Sequence, residues 1–356
     1  MQGNNDLGLG TAPQDRRAFQ NCVCSGAEVD DVIRYQLLER DTYHVPSIQY
    51  GDRPRFGEPF KATLSIGGDD IDFSGILFNC IIETHIPGGG PPFRTCDEQK
   101  THSWSLIRDQ TLVTRISDLI GKIVATVRAG QAGNKFRLYA TGYGQFFNNE
   151  TILCNDITSA RTANPNPDNK PHNNITTQLR TEFNEMSLRL NAAIKEAVAL
   201  HTQDGVKYIN INTILAGHRF CEEGIKESDQ HNPNLWLFHY PYNENNISVI
   251  GTTGSDYTSV LQAANAKVFG GQSISQLSQQ YSSARQVDDA FYSAIDWSQV
   301  QQLGGGVKAT GFWDGVVGPP TKSFHPQVPW HTWIQKFMVD QWKLDREIDN
   351  IGATPT

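Results

Sequence analysis

Phe60-Lys-Ala-Thr-Leu-Ser-Ile66, closed by Gly67-Gly68 and followed by Asp69-Asp70, is the stretch on which the fold turns. A short apolar run ended by a glycine pair reads as a buried strand that stops in a tight turn. Downstream, Leu106 to Val127 carries Leu112, Ile116, Leu119, Ile120, Ile123 and Val127 at helical spacing. That stripe predicts one amphipathic helix. Phe136 to Ala140 reads as the next strand, Thr176 to Leu200 as a second long helix and Val206 to Ile211 as a third strand. The apolar set of the second helix is Leu179, Phe183, Leu188, Leu190, Ile194, Val198 and Leu200. Upstream, Val29 to Leu38 reads as a helix. Strands alternating with helices at spacings that suit right-handed crossovers predict a parallel sheet with helices on both faces.

The rest of the chain is arranged around that α/β core. Residues 86–95 are too rich in Pro and Gly for regular structure. Residues 225–320 are rich in Asn, Gln, Ser and Gly, with aromatic residues at Trp236 to Tyr240 and at Trp313, and read as an insertion. Trp330 to Glu347 reads as a closing amphipathic helix, so residues 1–356 form one domain with an insertion within it.

Composition narrows the function. Of 356 residues 19% are charged and 38% hydrophobic, which is a globular balance rather than a disordered one. The net charge of -8 and the lack of a Lys/Arg block exclude nucleic acid as the expected partner. No apolar run reaches the ~18 residues of a membrane span. Six cysteines and the sequons at Asn149, Asn174 and Asn246 suggest glycosylation on an oxidising, secretory route. The start, Met1-Gln-Gly-Asn-Asn-Asp, has neither a basic nor an apolar region of a signal peptide. Either the protein is not secreted or its beginning is missing.

Parallel sheets bind ligands at the carboxyl ends of their strands. The segments there are Ser65 to Phe73, Thr141 to Phe147 and Ala216 to Cys221, with Ser323-Phe-His-Pro326 near the end of the chain. Together with Cys24-Ser-Gly-Ala27, these segments in this order resemble the secreted SGNH (GDSL-type) esterases and lipases of filamentous fungi and soil actinobacteria. The matching pieces include Leu64-Ser-Ile-Gly-Gly-Asp-Asp70, Tyr143-Gly-Gln-Phe-Phe147, Leu190-Asn-Ala-Ala-Ile194 and Gly217-His-Arg-Phe-Cys221. The resemblance spans nearly the whole chain. It implies a three-layer α/β/α sandwich, ester hydrolysis without cofactor or metal, and an ester, lipid or acylated-glycan substrate. It implies an extracellular location, and a monomer is expected. Carried over by residue, His325 corresponds to the general base, Gly26 to the glycine whose N–H helps form the oxyanion hole, and Asp69 to the side-chain oxyanion donor.

Two departures accompany the resemblance. No Gly-Asp-Ser or Gly-x-Ser-x-Gly segment holds a nucleophile, so the expectation is a chain that starts after the family's first strand and catalyses poorly as it stands. Asp69 stands where the family has asparagine. An ionised carboxylate donates no hydrogen bond, so Asp69 serves only if burial keeps it protonated. Lys322 occupies the place of an aspartate that some members use to orient the histidine. The resemblance also implies disulfides Cys80–Cys96 and Cys154–Cys221, leaving Cys22 and Cys24, the latter expected to pair with an upstream cysteine.

Other residues have plainer readings. Ser25 reads as a helix-start serine rather than a substitute nucleophile. His218 reads as structural, near a disulfide. His331 lies six residues from His325, and no histidine spacing resembles a zinc site. Trp236 to Tyr240 would either line an acyl pocket or pack the insertion. The alternative to an ester hydrolase is a non-catalytic relative that binds a glycan or lipid.

Overall fold

A computed structural model describes residues 26–38, 59–83, 94–130, 132–159, 172–225, 232–238, parts of 263–302, and 324–351. Cys22, Cys24, Ser25, Asn246, Trp313, Lys322, Ser323 and most of the expected insertion lie outside the described residues.

The three expected strands are present, each slightly shorter or shifted: β1 (Lys61–Leu64), β2 (Arg137–Thr141) and β3 (Val206–Ile209). They form one sheet in the order β1-β2-β3, and both pairings are parallel. Lys61 pairs with Arg137, and Leu138 with Val206. In β2 Leu138, Tyr139 and Ala140 are all at most 2% exposed. Successive side chains of a strand point to opposite faces, so both faces of this sheet are covered.

One cover is built from a helix that precedes the first strand and from helices that follow the strands. Helix α1 (Val29–Asp31) opens with a reciprocal Glu28–Asp31 capping box and continues in wider, π-type turns over Val32–Leu38. Helix α2 (Phe73–Ile76) runs on similarly through Leu77–Ile81. Helix α3 (Cys96–Ile107) starts at a capping box in which Thr95 Oγ1 accepts the Glu98 N–H at 3.2 Å and Glu98 Oε2 accepts the Thr95 N–H at 2.8 Å. Helix α4 (Thr111–Arg128) buries Leu112, Ile116, Leu119, Ile120, Ile123, Val124 and Val127. Helix α5 (Thr177–Ala199) begins at Thr176, whose hydroxyl accepts the Leu179 N–H at 3.2 Å. Of the remaining helices α6 (Ile274–Gln280) and α7 (Trp297–Gln302) are short, and α8 (Val328–Ile351) closes the chain. The opposite face of the sheet belongs to α8. Tyr139 Oη donates to Asp345 Oδ2 at 3.0 Å, Lys207 pairs with Asp345 at 3.4 Å, and the Lys61 ammonium sits 2.9 Å from the centre of the Trp342 ring. The architecture is α/β, a parallel sheet between helices, as expected.

The structure corrects two expectations. The single helix Leu106 to Val127 is two helices, α3 and α4, broken at residues 108–110. The break is local chemistry: Asp109 Oδ1 accepts the Thr111 N–H at 2.9 Å and starts a fresh helix. Leu188 and Leu200, counted on the apolar face of α5, are 40% and 67% exposed. The buried stripe runs instead through Leu179, Phe183, Met186, Leu190, Ile194 and Ala197, a three-and-four spacing that Leu188 does not fit, while Leu200 lies just past the end of the helix, at its C-cap.

Two disulfides join the described cysteines, Cys80–Cys96 across 16 residues and Cys154–Cys221 across 67. The second ties the loop after β2 to the loop after β3. The loop after β2 is also held from below by Arg180, which is fully buried. Its guanidinium donates to the carbonyls of Ile175 (3.1 Å), Thr151 (2.6 Å) and Asn148, and to Asn155 Oδ1 and Thr177 Oγ1 at 3.0 Å each.

Candidate active site

The site is assembled at the carboxyl end of the sheet, beginning with the turn after β1. Gly67 has φ +103°, and a Cβ there would lie 3.0 Å from Leu190 Cδ1. Only glycine combines that backbone with so close an approach. A Cβ on Gly68 would meet the Tyr143 hydroxyl at 2.9 Å. That hydroxyl accepts the Gly68 N–H at 3.0 Å. Tyr143 is fixed in turn by Asn191 of α5, whose Oδ1 accepts its N–H at 2.6 Å and whose Nδ2 donates to its carbonyl at 2.8 Å. Burial, partly offset by the bonds from Gly68 and Ser65, pushes the phenol up to about 12, so it stays neutral. The turn after β1 is therefore clamped to the loop after β2.

Asp69, Asp70 and Ile71 form a short 3-10 turn. Asp70 is buried and draws α1 onto the turn. Both of its oxygens accept the Val29 N–H, at 3.1 and 3.3 Å, and Arg115 of α4 pairs with it at 2.8 Å. Because Gly26 lies three residues before Val29, these bonds bring the chain at Gly26 alongside the Asp69 turn. Gly26 has φ +75° and is exposed. Asp72, itself at φ +54°, accepts from the Gly75 N–H at 3.1 Å, Gln99 Nε2 at 2.9 Å and Arg94 Nη1 at 2.9 Å.

Asp69 has a different environment. Among the described residues its carboxyl has no hydrogen-bond partner. Burial lifts its pKa to about 6, helped by the negative charges of Asp70, Glu28, Asp72 and Asp31. The sequence made Asp69 usable as a donor only if burial held its proton, and its environment acts in that direction.

The histidine arm reaches the same end by aromatic packing. Phe73 of α2 lies 5.3 Å from Phe146, and Phe146 meets Phe324 edge-on at 6.0 Å. Phe324 also packs on Phe147 (5.6 Å) and Phe220 (4.8 Å). It is buried at φ +67°, a conformation that bulky residues rarely adopt. Pairing with residues 236–238 fixes the arm on either side of His325. Leu237 bridges antiparallel to Pro326, the Phe238 N–H donates to the His325 carbonyl at 2.9 Å, and the Phe324 N–H donates to the Phe238 carbonyl at 2.8 Å. His325 itself is exposed. His218 donates from Nδ1 to the Asn234 carbonyl at 2.8 Å and stacks on Trp236 at 3.4 Å, a packing role for both.

A small apolar cavity of about 20 Å³ lies beside Gly68, between α2, the loop after β2 and α5. Its walls include Phe73, Phe146, Phe183, Met186 and Leu190. The sequence did not reveal it, because its lining comes from three segments whose apolar residues read as ordinary core. The one available signal was the pair Phe146-Phe147 in a loop rather than in an element.

Away from this end of the sheet, a Ser–His–Asp array joins residues that the sequence did not single out together. Ser117 Oγ is 2.9 Å from His201 Nε2, and His201 Nδ1 is 3.4 Å from Asp204 Oδ2. It lies at the opposite, amino end of β3. Ser117 is in the middle of α4, where backbone N–H groups are committed to the helix, and Arg128 takes Asp204 at 2.9 Å. In the middle of a helix Ser117 has no free backbone N–H of its own turn to offer an oxyanion, and the array is a tie between α4 and the turn before β3. Among the described residues no group of His, Cys, Asp and Glu could hold a metal, and no helix is long and apolar enough to cross a membrane. Of the sequons, Asn174 is exposed and Asn149 half-buried.

No protein-family model and no curated protein matches the sequence. Solved structures similar to it include phospholipase A1 from Streptomyces albidoflavus NA297, at TM-score 0.36 and 18% identity over 62% of this chain and 67% of that one. Another is an extracellular lipase from Streptomyces rimosus, at TM-score 0.35 and 18% identity over 61% of this chain and 70% of that one.

Proposed function

We propose that the carboxyl end of the sheet is an acyl-ester site of the hydrolase kind. In this reading His325 is the general base, and the Gly26 N–H and the Asp69 carboxyl are the donors to the oxyanion. The observation that carries it is the aromatic bridge Phe73–Phe146–Phe324, which joins the histidine arm to the turn bearing Asp69. The substrate class is an ester, lipid or acylated glycan, and no cofactor enters the chemistry. The two disulfides fit an oxidising, extracellular setting. The described residues contain no serine in a nucleophile motif. A second reading, a site that binds an acyl group without cleaving it, is favoured by Asp69 in the place of a neutral amide.

Two assays on one preparation separate the readings: hydrolysis of short p-nitrophenyl esters at pH 5, and binding of an acyl compound at the same pH. For this polypeptide the expected result is binding without turnover. Turnover that falls ~10²–10⁴-fold in His325→Ala would assign the base and locate the nucleophile outside the described residues. Turnover that His325→Ala leaves untouched would overturn the placement of the site.

A further inference from the structure

Packing accounts for only part of the stack of His218 on Trp236. The two rings lie 3.4 Å apart and within 5° of parallel, yet each is only half-buried. His218 Nδ1 is committed to the Asn234 carbonyl, which leaves Nε2 as an acceptor in the neutral ring. Neither that nitrogen, nor the Trp236 Nε1–H, nor the side-chain amide of Asn234 has a partner among the described residues. Nor are these atoms buried, because among the described residues Arg128 Nε alone is a buried side-chain polar atom without a partner. A flat aromatic surface is thus edged by a donor, an acceptor and an amide that offers both. Arg219 and Glu222, the charged residues nearest to His218 along the loop, pair with each other at 2.6 Å. Gly217, beside His218, is exposed, and a Cβ there would meet nothing within 4 Å, so the ground next to the rings is open.

The backbone puts that surface on the same side as His325. Residues 236–238 and 325–327 form a short antiparallel ribbon in which Leu237 lies opposite Pro326. The Gln327 N–H donates to the Trp236 carbonyl at 2.8 Å and the Phe238 N–H to that of His325 at 2.9 Å. Trp236 therefore stands opposite Gln327, and Phe238 opposite His325. Successive side chains of a strand point to opposite faces. Leu237 is fully buried and marks the inner face, so Trp236, Phe238, His325 and Gln327 share the outer one. Diagonal neighbours on one face of such a ribbon are about 7–8 Å apart, within reach of aromatic side chains, and Trp236 and His325 are such a pair.

We propose that the Trp236–His218 stack is a sugar-binding platform, which holds a neutral pyranose of an acylated glycan beside His325. A pyranose has a face of weakly positive C–H groups, which suits the negative face of an aromatic ring, and a rim of hydroxyls that both donate and accept. A hydrocarbon chain would strip water from the Trp236 N–H, His218 Nε2 and the Asn234 amide and leave them unpaired, a cost that a ligand rimmed with hydroxyls avoids. An acidic sugar would find Arg219, the cation of this loop, already paired. The inference names a substrate class for the ester site and rests on that reading for the part played by His325. The sugar contact itself does not depend on it.

The test is binding of xylohexaose and cellopentaose, which carry no ester, followed through the indole N–H signals of the isotope-labelled full chain. Trp236→Phe identifies the Trp236 signal by removing it. At least one of the two sugars should shift that signal, with a Kd of roughly 1 mM. His218→Ala, which takes away the stacking partner, should weaken that affinity about tenfold. Should that chain not fold, Asn234→Ala, which removes only the amide at the rim, is read in its place and should also bind more weakly. Tetragalacturonate, an anionic sugar, should bind less than either neutral one. A Trp236 signal that neither neutral sugar moves would overturn the proposal. So would a signal that octanol moves and the sugars do not, or an affinity that the variant leaves unchanged. Ester hydrolysis does not enter the measurement: sugar binding without hydrolysis leaves this inference standing, and hydrolysis without sugar binding removes it alone.

Discussion

At the scale of the residue, Asp69 stores a pH dependence that stability measurements can read. Its carboxyl titrates near 6 in the fold, against an ordinary value of 3.8. A raised carboxyl keeps its full contribution below the unfolded value and loses it as pH rises through the folded one. The native state is therefore penalised above pH 6 by a charge that the unfolded chain solvates freely. Asp69→Asn removes the charge. We expect its melting temperature to match the parent's near pH 4 and to exceed it at pH 7, by roughly 2–4 °C for each kcal/mol relieved. Equal gaps at both pH values would mean that Asp69 is solvated. The sequence could pose this question, since Asp69 was visible as a departure. It could not answer it, because the answer lies first in the burial of the turn, then in the neighbouring charge of Asp70 and in Glu28 and Asp31, about forty positions away.

At the scale of the element, legibility followed local chemistry. The strands were readable as short apolar runs, because both faces of the sheet are covered, and α5 because burial imprints a helical period on it. The start of α3 was written as Thr95-x-x-Glu98 and went unread, and the helix was begun ten residues late at Leu106. The break before α4 was invisible because Asp109 is an ordinary helix residue until its side chain turns back onto the Thr111 N–H. Arg180 is a harder case. Its position within an apolar stripe gave no hint that it is a fully buried cation whose partners among the described residues are neutral oxygens. Replacing it with Met keeps the bulk but orphans the carbonyls of Asn148, Thr151 and Ile175. Arg180→Met should therefore cost about 2–4 kcal/mol in denaturant unfolding, with the loss focused on the loop after β2. A change within 0.5 kcal/mol would show that water replaces the guanidinium.

At the scale of the molecule, the two disulfides close loops of very different size, and the difference is a test of how the chain is tied. In the chain-entropy account a crosslink over 67 residues stabilises by about 4 kcal/mol and one over 16 by about 3. Replacing Cys154 and Cys221 with Ser should thus lower the unfolding midpoint more than replacing Cys80 and Cys96. It should also loosen Phe147 and Phe220, which are paired across the same two loops. The reverse order would place the greater constraint in the short loop. The pairings were legible only through the resemblance, since six cysteines allow many connectivities. The meeting of the turn after β1 with the segment near residue 325 was legible in outline, as segments at strand ends. The aromatic contacts that hold the two together were not, because they join residues 73, 146 and 324.

The bridge between Leu237 and Pro326 sets an order of events. A chain made from its amino end can complete the sheet and the helices packed behind its strands long before residue 325 has been synthesised. The histidine arm then docks late, together with α8, onto aromatic side chains already in place. On the ester-site proposal, a chain not yet made as far as residue 325 would carry the acidic turn without the proposed base. Any chemistry of the proposed kind would then wait on the docking of residues 324–326 against Phe146, Phe147 and Phe220.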